Sequence, residues 1–461
     1  MSLLKDFDQR DCAALGHELH GFARELYPIC RSITGDGLRR TLSMIQERIS
    51  LQITEVASRT QVFDWNVPRE WNIRDAFIKS ADGKRVVDFQ KCNLHVMNYS
   101  TSVHATMRLG ELKAHLFSIP DKPEWIPYRT SYYMEDWGFC LSHNQLLALE
   151  DGEYEVCIDS TLRDGSLTLG ECFLPGRTAD EVLISCHACH PSLANDNLSG
   201  LTVATYLAKF LAGRDLHYSY RLLFIPGTIG AITWLARNQA SAERIRHGLV
   251  LTCIGDKGRF HYKKSRRGSA EIDRAVMHVL THQTHSPEFL EFSPYGYDER
   301  QYCSPGFNLP VGCLMRSVWG TFPEYHTSAD NLEFIHPAKL AESLRVCASV
   351  LDVLESNRKY RSLNPYCEPQ LGKRGLYSPT GGGVLEEEVN GRLWVLNLSD
   401  GQHSLLDIAE RSQIAFPMIR DAADLLCQNG LLSVVSEDAS DEKSPREVPQ
   451  ASAAVARRSQ S

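Results

Sequence analysis

Residues 181–200 read Glu181-Val182-Leu183-Ile184-Ser185-Cys186-His187-Ala188-Cys189-His190-Pro191-Ser192-Leu193-Ala194-Asn195-Asp196-Asn197-Leu198-Ser199-Gly200. The opening apolar run has the length of a buried strand. From Leu198 to Leu211 the apolar residues recur at helical spacing, with Gly213 as the stop. His187 and Asp196 therefore fall on the loop between a strand's carboxyl end and a helix start, where open α/β sheets place their ligands. An imidazole and a carboxylate converging there, with more of both downstream, point to a site for a hard-to-borderline metal. The alternative is a helix cap, a common use of Asp or Asn before an apolar run.

Working outward, short apolar runs alternate with helical patterns. Strands are expected at 181–186, 220–225, 249–254 and 310–315, with helices at 198–213, 229–238, 269–282 and 337–356. That alternation predicts an α/β fold, a mostly parallel sheet flanked by helices. Residues 11–50 read as two helices broken at Gly35-Asp36-Gly37. From about Thr60 the texture turns to short β-branched or aromatic runs, among them Arg85-Val86-Val87-Asp88-Phe89 and Leu94-His95-Val96-Met97. Strands should follow at 153–159 and 167–174. The expected organisation is an α/β domain over 1–59 and 151–360 with a β-rich insert at 60–150. A Pro- and Gly-bearing connector over 357–383 overlaps the end of that domain.

Residues 384–435 form a further module. Leu393-Trp394-Val395-Leu396 suggests a strand, Ser404–Arg411 and Phe416–Cys427 suggest helices, and a last strand follows at Leu431–Val435. This resembles a winged helix. Residues 385–432 carry eight acidic and three basic side chains, the wrong sign for phosphate. No nucleic acid is expected, and a docking role toward a protein partner or a second copy fits better. The polar 436–461 tail reads as disordered.

The 461 residues carry a net charge of −8, with 43% hydrophobic and 23% charged residues, as in a soluble globular protein. No run reaches the roughly 18 apolar residues that span a bilayer. The first residues lack the apolar core of a signal peptide, so the fourteen cysteines read as reduced thiols of a cytoplasmic protein. Cys186 and Cys189 have zinc-knuckle spacing, but no second pair follows to complete a four-cysteine site.

Four further stretches put polar groups at expected strand ends or loops: Pro226-Gly227-Thr228-Ile229-Gly230, Gly255-Asp256, Tyr297-Asp298-Glu299-Arg300, and Pro323-Glu324-Tyr325-His326-Thr327-Ser328-Ala329-Asp330. A lone histidine is more often a satisfied surface or core residue than a ligand, and Asp330 alone reads as a cap. Two histidines and two carboxylates after successive elements of one sheet are harder to explain that way.

The order His187, Asp196-Asn197-Leu198-Ser199-Gly200, Asp256, Asp298, Tyr325-His326-Thr327 and Asp330 resembles the zinc aminopeptidases of the bacterial leucyl aminopeptidase and glutaminyl cyclase superfamily. In particular it resembles bacterial proteins with an aminopeptidase-like domain, a β-rich insert and a C-terminal winged helix. The resemblance implies metal ligation by His187, Asp196, Asp256 and His326, with Asp196 bridging, and hence one zinc or two. It also implies a Glu-Glu pair after the central strand, one residue acting as general base. This chain has Pro226-Gly227-Thr228 there, and Cys189 in place of an aspartate two residues after the first histidine. His190, Glu299 or Glu324 are the candidate substitutes, and Asp298 and Glu299 the candidate catalytic carboxylates. The function implied is a zinc-dependent aminopeptidase-like hydrolase for an amide or peptide bond of a small metabolite or short peptide. The alternative is a catalytically impaired metal-binding or scaffold protein of a biosynthetic pathway.

Overall fold

The computed structural model describes residues 4–7, 11–376 and 387–435, and the chain divides into two compact units, Met1–Ser356 and Asn357–Ser461. The 436–461 tail and the Gly381-Gly382-Gly383 end of the connector lie outside the described residues.

An eight-stranded sheet organises the first unit. Its four central strands, Ser219–Ile225, Glu181–His187, Ile245–Leu251 and Val311–Met315, run parallel in that order. Every residue of the first two is buried, as a parallel sheet covered on both faces requires. Glu181 is fully buried at the start of its strand and is offset by Arg221 at 2.6 Å on the neighbouring strand. Outside the parallel core, Ser166–Leu174 pairs antiparallel with both Gln52–Ala57 and Ser219–Ile225. On the far side His261–Lys263 pairs antiparallel with Val311–Met315. Helix Gly200–Leu211 buries every residue except Lys209, and Pro337–Ser356 is the longest helix described.

The insert is an antiparallel sheet in the order Arg85–Asp88, Glu70–Ser80, Glu153–Arg163, Val103–Arg108. Along Glu153–Arg163 the residues Tyr154, Val156, Ile158 and Ser160 turn inward between half-exposed neighbours, the alternation of a sheet with one covered face. Glu153–Arg163 thus pairs within the insert sheet although it lies beyond residue 150, and the chain returns to the main sheet at Ser166. The run Leu94–Met97, expected as a strand, starts instead as the 3₁₀ turn Asn93–His95, after which Val96 bridges Phe139.

In the second unit, Lys359–Ser362 is the middle strand of three, flanked antiparallel by Asp400–Ser404 and Leu432–Val434. Helices Glu387–Leu398, Leu405–Ser412 and Phe416–Gln428 complete a winged-helix arrangement. Leu393–Leu396, expected as a strand, belongs to the first of these helices, which buries Val389, Gly391, Val395 and Leu398. A four-residue apolar run does not distinguish a strand from a buried helix turn. No helix among the described residues is long and apolar enough to cross a membrane.

Candidate metal centre

His187 is the last residue of the central strand Glu181–His187. The turn Ala194–Ser199 precedes helix Gly200–Leu211, and Asp196 and Asn197 within it leave helical dihedrals. Asp330 fixes this turn from across the fold, its carboxylate accepting from the amides of Asn195 at 2.6 Å and Asp196 at 2.9 Å. It is a cap, as its sequence position suggested, but of a turn 134 residues earlier. Burial pushes its carboxyl up to about 8.

Asp196 is the hub. Its Oδ1 lies 2.8 Å from His187 Nε2, and its Oδ2 lies 3.1 Å from His326 Nε2 and 4.0 Å from His190 Nε2. One donor atom each from His187, His190 and Asp196 falls within 4.8 Å of the others. Burial would raise the Asp196 carboxyl, yet the three imidazoles hold it well below the usual carboxylate range. Burial lowers His187, and lowers His190 strongly, so both rings favour the neutral, ligating form. Two buried imidazoles and a buried carboxylate, with the partly exposed His326 imidazole converging on the same carboxylate, are a donor set suited to zinc.

Aromatic rings wall the cluster. Tyr297 stacks on His187 at 3.8 Å, and Tyr325 stacks on His326 at 4.0 Å. Tyr128 from the insert sets its edge against His190 at 5.1 Å and His326 at 5.0 Å, while its amide donates to the His326 carbonyl at 2.8 Å. Arg31 is fully buried, and its Nε donates to the His190 carbonyl at 2.8 Å. Neither Tyr128 nor Arg31 follows from the sequence. The crowding of aromatics and prolines over 120–137 is the signal that marks the first; Arg31 has none.

The expected site residues divide. His187, Asp196 and His326 come together, and His190 joins them. Asp256 does not join the cluster. Its Oδ2 accepts from Asn195 Nδ2 at 2.7 Å and its Oδ1 from Ser317 Oγ at 2.8 Å, so it buttresses the Asp196 loop. Glu299, expected beside Asp298 in catalysis, is fully buried and paired with Lys263 at 2.8 Å. Its carboxylate also accepts from the Tyr297 amide at 3.0 Å, so its role is to hold that loop. Asp298 differs: Oδ1 accepts from the Thr228 amide at 2.6 Å, but buried Oδ2 has no hydrogen-bond partner among the described residues. Burial pushes its carboxyl up to about 7. Cys189 accepts from the Gly227 amide at 3.3 Å, and burial pushes its thiol up to about 12, so it stays protonated.

Residues 20–357 match the family model described as domain of unknown function DUF4910. The chain belongs to the DUF4910 family. Residues 358–434 match a winged helix-turn-helix model. A protein of Clostridium acetobutylicum, described as a polysaccharide biosynthesis protein with aminopeptidase-like domain, is 51% identical over 421 residues, covering 91% of this chain and 97% of that one. A crystal structure from the same organism, described as that of a peptidase, has a TM-score of 0.90 at 49% identity and covers 94% of this chain and 99% of its own. The zinc aminopeptidase of Bacillus subtilis shares the fold at a TM-score of 0.53 and 13% identity, over 74% of this chain and 95% of its own. This DUF4910 chain is thus an aminopeptidase-like α/β fold with a winged helix appended.

Proposed function

We propose that this chain is a hydrolase for an amide or peptide bond of a small metabolite or short peptide. One zinc would be held by His187, His190, Asp196 and His326, and Asp298 would serve as the proton carrier. The observation that carries this reading is Asp196, both of whose oxygens meet imidazoles from different loops with a third imidazole alongside. Zinc held there would act as a Lewis acid on the scissile carbonyl. The protein's own groups supply the rest. Asp298, with its carboxyl raised to about 7 by burial, is half-ionised near neutral pH, which suits a group that takes a proton and returns it. Burial holds the Tyr297 phenol protonated, so it acts as a hydrogen-bond donor beside His187. The tyrosine walls around the imidazoles limit access by water.

The fold and the aminopeptidase-like relative support a peptidase-like hydrolase. The relative's description also supports a biosynthetic setting over general protein digestion. A cytoplasmic location and action without nucleic acid belong to the same proposal. A second reading, a catalytically impaired metal-binding or scaffold protein of a biosynthetic pathway, draws on one observation. No carboxylate follows strand Ser219–Ile225 at 226–228.

The test is amine release by purified full-length protein with zinc, cobalt or manganese, from leucine p-nitroanilide, a dipeptide panel and a panel of N-acyl metabolites. Turnover on a member of the last panel, lost in Asp298→Asn and His187→Ala, supports the hydrolase. A zinc-loaded protein that releases no amine from any of them supports the scaffold.

A further inference from the structure

Apart from the metal cluster, an open cavity of about 650 Å³ is lined by Asn66, Arg69, Tyr99, Tyr133, Met134 and Glu135 among others. That volume lies in the range of small-molecule sites. We propose that this cavity binds a neutral sugar, a pyranose standing alone or as one ring of a short saccharide.

The aromatic surface comes first. The rings of Trp65 and Tyr133 meet at 5.5 Å and 69°, yet the two residues remain 39% and 52% exposed. Such faces are costly to leave in water and mark sites of contact. A pyranose carries an apolar C–H face that packs flat on an aromatic ring, with its hydroxyls projecting round the edge.

Charge then selects among ligands. Arg69 is paired with Glu135, and Arg59 with Asp164 at 3.0 Å. Both guanidiniums are already neutralised, so a phosphate or carboxylate would have to displace an existing partner. An Arg–carboxylate pair leaves N–H donors and oxygen lone pairs at its edges, which match the alternating donors and acceptors of vicinal hydroxyls. Asn66 adds an amide to the same wall.

The backbone is a third observation. Arg59, Tyr99 and Tyr133, all lining the cavity, have φ of 69°, 74° and 66°, and nearby Phe63 has 55°. Positive φ is unfavourable for such bulky residues, and residues held this way cluster at ligand sites. At Tyr133 the turn holds an exposed ring out against that cost.

A run of tyrosines joins the cavity to the metal cluster. Tyr99 meets Tyr132 edge-on at 5.5 Å, the Tyr132 and Tyr128 hydroxyls lie 2.9 Å apart, and Tyr128 abuts His190. Two tyrosines thus stand between the sugar and the cluster, and sugar binding does not depend on metal.

The experiment titrates full-length protein with glucose, N-acetylglucosamine, maltose and chitobiose, followed by calorimetry and tryptophan fluorescence, with inorganic phosphate as the anionic control. At least one saccharide should saturate in the millimolar range or tighter. Trp65→Ala and Tyr133→Ala should each weaken it about tenfold, the worth of one good ring contact, with unchanged circular dichroism. His187→Ala should leave sugar binding as it was, which separates this site from the hydrolase reading. The proposal is overturned if none of the four saturates by about 50 mM, a Kd beyond any useful affinity. It is equally overturned if the two aromatic variants bind as the parent does, or if phosphate binds and no sugar does. A patch that joins copies of the chain would show as a dimer lost in Trp65→Ala with no sugar bound, and that too would overturn it.

Discussion

The Tyr297 ring fills the space in front of Gly227: a Cβ built on that glycine would stand 2.7 Å from the Tyr297 hydroxyl. The same ring stacks on His187 at 3.8 Å, so it cannot swing aside without uncovering a residue of the cluster. The space in front of Gly227 is thus taken by a phenol. Gly227→Glu should therefore fail to create aminopeptidase activity toward leucine p-nitroanilide. It should destabilise the fold by about 1–3 kcal/mol, the usual cost of overpacking. Thermal denaturation checks this, and the double variant with Tyr297→Ala should recover most of the loss. A stable Gly227→Glu protein with new peptidase turnover would contradict the assignment of that space.

Asp298 gives a pH signature. Its folded-state carboxyl is raised to about 7 from 3.8, so its contribution to stability is fully present below about 4 and is lost as pH rises toward 7. Asp298→Asn removes that dependence. The variant should gain on the parent by up to about 1.4 kcal/mol per pH unit between pH 4 and 7, and by no more above 7. Urea midpoints across pH 4–8 measure the difference. Any amide turnover should rise through pH 7 in the parent and vanish in the variant.

Arg31 should act through His190. Its Nε holds the His190 carbonyl at 2.8 Å and its Nη1 the Leu26 carbonyl at 2.6 Å. Arg31→Leu leaves the His190 carbonyl unpaired, while the Leu26 carbonyl keeps the Ile29 amide at 3.2 Å, and the change should cost about 1–2 kcal/mol, the lost hydrogen bonds set against one relieved buried charge. Zinc affinity should also fall about 10–100-fold, as when an outer partner of a ligand is removed. Competition with a chromophoric chelator reads the affinity directly.

The winged helix should not bind DNA, though for a reason narrower than overall charge. Its first strand begins at Lys359, and over the matched residues 358–434 nine acidic side chains face eight basic ones. The −5 balance over 385–432 therefore understates the basic residues of the unit. Helix Phe416–Gln428, the second helix of the helix-turn-helix, carries Asp421 and Asp424 against Arg420, itself paired with Asp421 at 3.0 Å. A low-salt gel shift of the full-length protein should show no retardation. Micromolar binding that weakens steeply with salt would contradict it.

Much of the α/β core was legible in the sequence because buried strands and helices announce themselves. Glu181–His187 carries the apolar run Val182-Leu183-Ile184 between a charged start and its site-facing end, and Pro337–Ser356 starts and stops where its pattern does. His187, Asp196 and His326, expected as ligands, are brought together: His187 ends a strand, Asp196 lies just before a helix, and His326 lies in the loop after Val311–Met315. His190 was weaker, since a histidine three residues past a ligand has no pattern of its own. Asp256 was misplaced because sequence gives position but not orientation: the Asn195 amide and the Ser317 hydroxyl take its oxygens. Glu299 failed for the same reason, through Lys263, thirty-six residues away. Leu393–Leu396 shows the converse limit, a run too short to carry a period.

Metal analysis of the purified protein tests the central claim most directly. The account predicts one zinc per chain, retained in Asp256→Asn and lost in His187→Ala, Asp196→Asn and His190→Ala. Two zincs per chain, or one zinc kept without His190 and lost with Asp256, would contradict it.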